Sequence, residues 1–427
     1  MDGLYNEKKW EALRDHVGGK VGEDLVSALK ELYLVYDESI VDWFAGLYDD
    51  KVGGYYYSNS ARDNDFVVVN GKEIPLLPDV ESTFQSVNFW CGGMDGGIKE
   101  WGKWLPEWLQ KKIADFAYNL QDEDGFFYHP QWGKNIELCR RGRDYMWASY
   151  IVEHLKGDLK YPSFKTVAEP KADNEENKKI LIPDHLSSKE KFLEYIETLN
   201  ITERSYHGGN ELAAQVDQIK ALGLIDVCCD YLTARQNERG QWHKVSNFYA
   251  NDGVFKILFL YNAAGRLLPR AVEAAKAAIA AIVSDERMGC VCDLYNTWYS
   301  VRAILDNARK YAGEDAERIT TEILHTIWEV APEGIRNSTK KIAEFKKPDG
   351  GFSYGRYSSS PTSQGAPVAI PDSAEGDVNA TNVSLSIVGS IFMALDLTDY
   401  SVPLFGPDMR EKYIALLEAR RIPEEKQ

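Results

Sequence analysis

Apolar residues recur at helical spacing along most of the 427-residue chain, and the helices they predict fall into two alternating kinds. One kind keeps a charged face: 24–47, 107–120, 189–199, 224–236, 270–283, 316–330 and 408–420. The other is apolar or small nearly all round and opens on a polar cluster: 80–90, 143–155, 210–222, 251–264, 294–307 and 378–395. A helix buried over most of its circumference loses its polar face, whereas a helix facing water keeps it. The alternation therefore predicts an all-α fold of concentric rings, a single (α/α)6 or (α/α)7 toroid spanning 1–427 as one domain. Seven outer segments against six inner ones leave the number of hairpins open. The stretch 156–187 is rich in Pro and charge, has no period, and reads as an insertion or lid loop.

A repeat lies in the connections. The segments 49–58 (DDKVGGYYYS), 122–130 (DEDGFFYHP), 237–244 (NERGQWHK) and 348–355 (PDGGFSYG) each join turn residues and Gly to aromatics. Asp and Asn start turns and Gly takes positive φ, so short β-hairpins are expected in the rim loops. Aromatic residues make up 12% of the chain, many in these Gly-rich loops. Half of them are expected in the core. The rest, Trp132 and Trp242 among them, are candidate platforms for sugar rings, which pack an apolar face while a polar handle meets hydroxyls.

The net charge of −17 disfavours nucleic acid, whose phosphates call for a basic surface. No apolar run approaches the roughly 18 residues of a membrane span. The polar first residues lack a signal-peptide core, which points to a cytoplasmic protein or a secreted one whose signal has been removed. Six Cys make no disulfide framework, and Cys290–Cys292 and Cys228–Cys229 lack zinc-ligand spacing. GxxxxGK[ST], GxSxG and HExxH are absent, so neither cofactor nor metal is expected.

Long loops run from outer helix ends to inner helix starts, so the inner N-termini should line one mouth. Asp79, Asp144, Asn210, Asn251, Asp293 and Asp377 read as N-caps, each worth about 1 kcal/mol. Capping leaves Glu81, Arg143, His207, Asp252, Tyr295, Asn296, Tyr299 and Asn379 beside them unexplained. Helix N-termini favour anions, and Arg140, Arg141 and Arg143 form a basic cluster suited to clamping a carboxylate. Of seven His, only His129, His207 and His243 lie in loops feeding inner helices.

With this mouth of Asn, His, Tyr and Arg, the chain resembles the α/α-toroid carbohydrate-active enzymes. Among these it is most like the alginate- and glucuronan-cleaving polysaccharide lyases. The resemblance implies β-elimination on a uronic-acid-containing poly- or oligosaccharide. A uronate C5 proton is acidic only when its carboxylate is neutralised, after which a Tyr or His takes it and a Tyr protonates the departing O4. Carried over, it makes Tyr299 the acid and a candidate base, with Tyr295 on the same helical face. His243 becomes the base or its partner, and Asn210 the neutraliser. Arg143 or Arg302 would hold substrate charge, and His207, His129, Trp132, Trp242, Asn251 and Glu81 complete the binding set. A glycoside hydrolase or sugar isomerase on the same toroid stays open, since Glu81, Glu211, Asp252 and Asp377 are candidate acid/base carboxylates. So does a non-catalytic carbohydrate-binding toroid, which would tolerate loss of any of these groups.

Overall fold

The computed structural model describes residues 6–91, 100–164 and 180–422. The described chain is mostly helical, with three two-stranded antiparallel hairpins. No described helix is long and apolar enough to cross a membrane. Of the loop expected at 156–187, residues 165–179 lie outside the described residues.

The six expected inner helices appear as Val80–Asn88, Leu138–Leu155, Ser205–Ala214, Phe248–Ala264, Cys292–Tyr311 and Val378–Ala394, although the segment 210–222 divides at Gln215 and Val216–Ala221 is a separate short helix. Each packs against the next in chain order, and the 378–394 helix packs back on the 80–88 helix. Their sequences explain the burial. Phe248–Ala264 buries residues on every side, from Phe248 and Ala250 to Leu260 and Tyr261. Ala316–Trp328, facing water, buries only the i, i+4 stripe Ile319, Ile323 and Ile327. Among the charged helices, Glu107–Asn119 packs on 138–155, Ile225–Thr233 on 248–264 and Ala271–Val283 on 292–311. A continuous apolar core runs from Trp10 to Leu417.

Several boundaries differ from expectation. The segment 24–47 is two helices, Gly19–Tyr33 and Ser39–Gly46, broken where Asp37 accepts the Ser39 amide at 2.9 Å. A helix at Ala331–Ala343, with Pro at its start, follows 316–328 and packs on 271–283 and 19–33. Glu7–Val17 is also helical, and the hairpin Phe66–Val69/Lys72–Pro75 turns at Asn70 and Gly71, both at positive φ.

The aromatic repeat folds as one recurring turn. The amide of Asp122 donates to the Phe126 carbonyl (2.9 Å), that of Asn237 to Gln241 (2.8 Å) and that of Lys347 to Gly351 (2.9 Å). Gly240 closes one such turn at φ +70°, and a Cβ there would stand 2.6 Å from Arg270 O and Ala274 N, at the start of the 271–283 helix. Gly350 does the same against Ser39 O, where the 39–46 helix begins. A left-handed residue pressed on backbone admits only glycine, so these two turns are seated on the starts of neighbouring helices. The rings that follow point inward: Tyr55, Phe126, Phe127, Trp242 and Phe352 are at most 2% exposed. These rings are core, not sugar platforms, whereas Tyr57 and Tyr354 of the same segments line a cavity among the inner helices.

Candidate functional site

A cavity of about 580 Å3 opens among the inner helices, and all six contribute to its wall. Glu81 and Gln85 come from the first helix, Arg143 and Trp147 from the second, Tyr206, His207 and Asn210 from the third. Phe255 and Lys256 come from the fourth, Cys292, Tyr295 and Asn296 from the fifth, Asn379 and Asn382 from the sixth. Tyr57, Tyr354 and residues 360–364 complete it from the connections.

One flank is a buried ion cluster. Arg140, wholly buried, reaches Asp79 (3.2 Å), Glu81 (3.1 Å) and Asp144 (2.9 Å), and its guanidinium lies over the Trp132 ring. Burial pushes the Glu81 carboxyl up to about 7 and that of Asp144 to about 6 despite the cation. Asp377 caps its helix through the Ala380 amide (2.8 Å) and also accepts from the Tyr354 amide (2.7 Å). Burial lifts it to about 7, with the Tyr57 hydroxyl donating to it.

The opposite flank is cationic. Arg143 donates to Asn210 Oδ1 at 2.8 Å, while Asn210 Nδ2 donates to Gln364 Oε1 at 2.9 Å. Asn210 therefore fixes Arg143 instead of offering its own amide to a ligand. Lys256 lies over the Phe255 ring, 5.8 Å from the centre of the Tyr206 ring. Burial, reinforced by Arg143, brings its amine down to about 7. Neither cation forms a salt bridge with a described residue. Tyr206 is pushed well above its ordinary value by burial and by Cys292 and Asp252 nearby, so its phenol keeps its proton.

The expected residues divide accordingly. Glu81, Arg143, His207, Asn210 and Tyr295 meet in the cavity. His207 is on its exposed side, its pKa lowered by burial and Arg204. Glu211 flanks Arg143, its carboxyl raised by burial and Glu137. Asp252 sits behind the wall, accepting from Asn296 (3.0 Å), and burial beside Asp293 raises it.

Others do not converge. Tyr299 is packed a turn deeper, against Phe255 and under Arg302, and Arg302 lines a smaller cavity of about 330 Å3 that shares Asn88 and Tyr295 with the first. His243 lies outside the cavity wall, edge-on to Tyr249. His129 is buried and structural: Nε2 donates to Pro78 O (2.8 Å), Nδ1 accepts the Gln131 amide (3.2 Å), and burial lowers it to about 4. Asn251 is buried and accepts from Gln241 (2.7 Å), while Trp132 lies under Arg140.

Trp242 donates Nε1 to Leu232 O (2.8 Å) inside the core. Trp242→Ala is therefore expected to lose about 3–5 kcal/mol in denaturant unfolding, with the sugar affinity of the folded protein unchanged.

No protein-family model, curated protein or solved structure matches the chain.

Of the expected caps, Asp79 and Asp377 do cap. The other helices begin earlier than expected, and Asn247 caps 248–264. Of the basic cluster only Arg143 lines the cavity, because Arg140 is consumed by carboxylates and Arg141 covers Phe126. Sequence reasoning missed Lys256, Tyr206, Tyr354, Tyr57 and Gln85. Lys256 had a signal: it is the one cation in FYANDGVFKILFLYNAA, a segment otherwise apolar after its first turns.

Proposed function

We propose that this chain is a carbohydrate-active lyase built on an (α/α)6 toroid, cleaving a uronate-containing glycan by β-elimination. Support for the toroid comes from the pairwise packing of six inner helices, last against first, around a cavity that all six line. The observation that carries the function is the pair Arg143 and Lys256, two basic side chains with no salt bridge among the described residues, on one cavity wall of a chain with net charge −17. A fixed guanidinium beside an amine in a cavity fits an anionic ligand, and a carboxylated sugar presents hydroxyls to the Asn, Gln and Tyr around it.

The chemistry assigns roles within the cavity. Arg143, held by Asn210, grips the uronate carboxylate and makes the C5 proton acidic. Lys256, brought down to about 7, loses its own proton as the pH rises through that value and in that neutral form takes the C5 proton. The C5–H electrons form the C4=C5 double bond, the C4–O4 bond breaks, and O4 takes a proton from the Tyr206 phenol. These roles replace the earlier expectation for Tyr299 and His243, neither of which lines the cavity. A hydrolase has less support, because of Glu81, Glu211, Asp252 and Asp377 only Glu81 lines it. Glu81 is moreover tied to Arg140.

The test is a panel of polyuronates and neutral glycans followed by ultraviolet absorbance and reducing ends together. Rising absorbance with new reducing ends is expected on a polyuronate and marks an unsaturated product. Reducing ends without absorbance would move the assignment to hydrolysis. Silence in both channels, with retention on a glycan array, would leave a binding protein.

A further inference from the structure

We infer that residues 356–376 form a strap across the mouth that restricts the site to a short carboxylated saccharide or the end of a chain. The inference rests on the uronate-lyase reading above and names the form of its substrate. The strap leaves beside the fifth inner helix, where Tyr354 O accepts the Val291 amide at 3.0 Å. It crosses to the first helix, where the Ser363 hydroxyl donates to Glu81, and to the second, where Arg140 donates to Ser363 O at 3.4 Å. Gln364 accepts from Asn210 on the third helix, and the chain returns to Asp377, the cap of the sixth.

The strap is pinned outside the ring as well. Gln131 donates to Pro367 O (2.6 Å), and Glu375 accepts the Ser60 amide (2.7 Å). Its tip, the short hairpin Thr362–Ser363/Ala366–Pro367, places Thr362, Ser363 and Gln364 in the cavity wall. Five inner helices are thus tied to the strap or its ends, and no hydrogen bond joins it to the fourth among the described residues.

Among the described residues, the arc that the strap does not bond lies where the third and fourth helices begin, before Asn210. Exposed His207 lies there, and the Tyr206, Tyr249 and His243 rings follow one another outward at 6.1 and 5.2 Å. The interior of a polymer must enter and leave a site on two sides, whereas a mouth open along one arc admits a chain end. Sugar units beyond the cleaved bond would pass over this aromatic row.

The experiment follows absorbance, viscosity and product size together, using the full chain on polyuronates and on their short oligomers. The expected result is one small unsaturated product from the earliest times, with polymer viscosity almost unchanged as absorbance rises. Early collapse of viscosity with a ladder of oligomers would overturn the strap while leaving the lyase intact. No absorbance on any polymer or oligomer would overturn the lyase reading and the strap's role together. Replacing 361–368 by a Gly-Ser turn is expected to shift the single product to a ladder. If that variant does not fold, the wild-type product profile still decides.

Discussion

Arg140→Met is expected to destabilise the protein by about 3–5 kcal/mol near neutral pH, and to do so less as the pH falls. Arg140 is wholly buried and is the counter-charge of Asp79, Glu81 and Asp144 at 3.2, 3.1 and 2.9 Å. Methionine fills similar space but leaves the carboxyls behind, and an orphaned buried charge costs more than the lost pair ever contributed. The sign follows from linkage. Burial already raises Glu81 to about 7 and Asp144 to about 6 with the cation present, and removing it raises both further. A carboxyl raised on folding stabilises below its unfolded pKa, and that contribution is lost as pH rises through the folded one. The carboxyls' share of the difference should therefore shrink as the pH falls from above 7 to about 6, below which both proteins hold Glu81 and Asp144 protonated. His129, lowered to about 4, works the other way, its contribution fading as pH falls below about 6.5. Arg140 is one of the charges that lower it, so its removal lets His129 rise and adds to the narrowing, at low pH, of the difference between wild-type and variant urea midpoints. A difference independent of pH would mean that the three carboxylates do not depend on Arg140.

The same residue shows how far the sequence could be read. Composition and period located all six inner helices, because burial on every side is written into segments such as 248–264 and 378–394. The hairpin at Asn70–Gly71 falls outside that helical rhythm, although VVVNGKEI carries a strong turn signal. Roles at the mouth were harder. Arg140, Arg141 and Arg143 are near neighbours in sequence, yet one neutralises carboxylates, one covers an aromatic ring and one enters the cavity. Successive residues of a helix point about 100° apart, and which of them meets the cavity depends on how the neighbouring helices pack. Tyr299 failed for the same reason, since one turn of depth beyond Tyr295 took it from the wall into packing against Phe255. Lys256 was visible as a lone cation in an apolar stretch, and only the missing salt bridge gives it a role.

That role makes the sharpest demand. Lys256→Met is expected to lower kcat about 10²–10⁴-fold, while binding of a uronate oligomer, held through Arg143, changes far less. Arg143→Ala should raise KM and lower kcat together, because Arg143 both holds the carboxylate and makes the C5 proton acidic. A base works only when deprotonated, and burial beside Arg143 lowers the Lys256 amine to about 7. Wild-type kcat should therefore rise with pH through about 7, and that limb should vanish in the residual activity of Lys256→Met. Lys256→Arg keeps the charge but should not restore the limb, because a guanidinium does not give up its proton in this range. Competitive acylation of the whole protein across pH supplies a readout that needs no substrate. Lys256 should titrate near 7, well below a solvent-exposed lysine amine. An unchanged limb in Lys256→Met, or Lys256 labelling like the surface lysines, would move the base to another cavity group. His207, exposed on the cavity's open side and lowered by burial and Arg204, would be the next to replace.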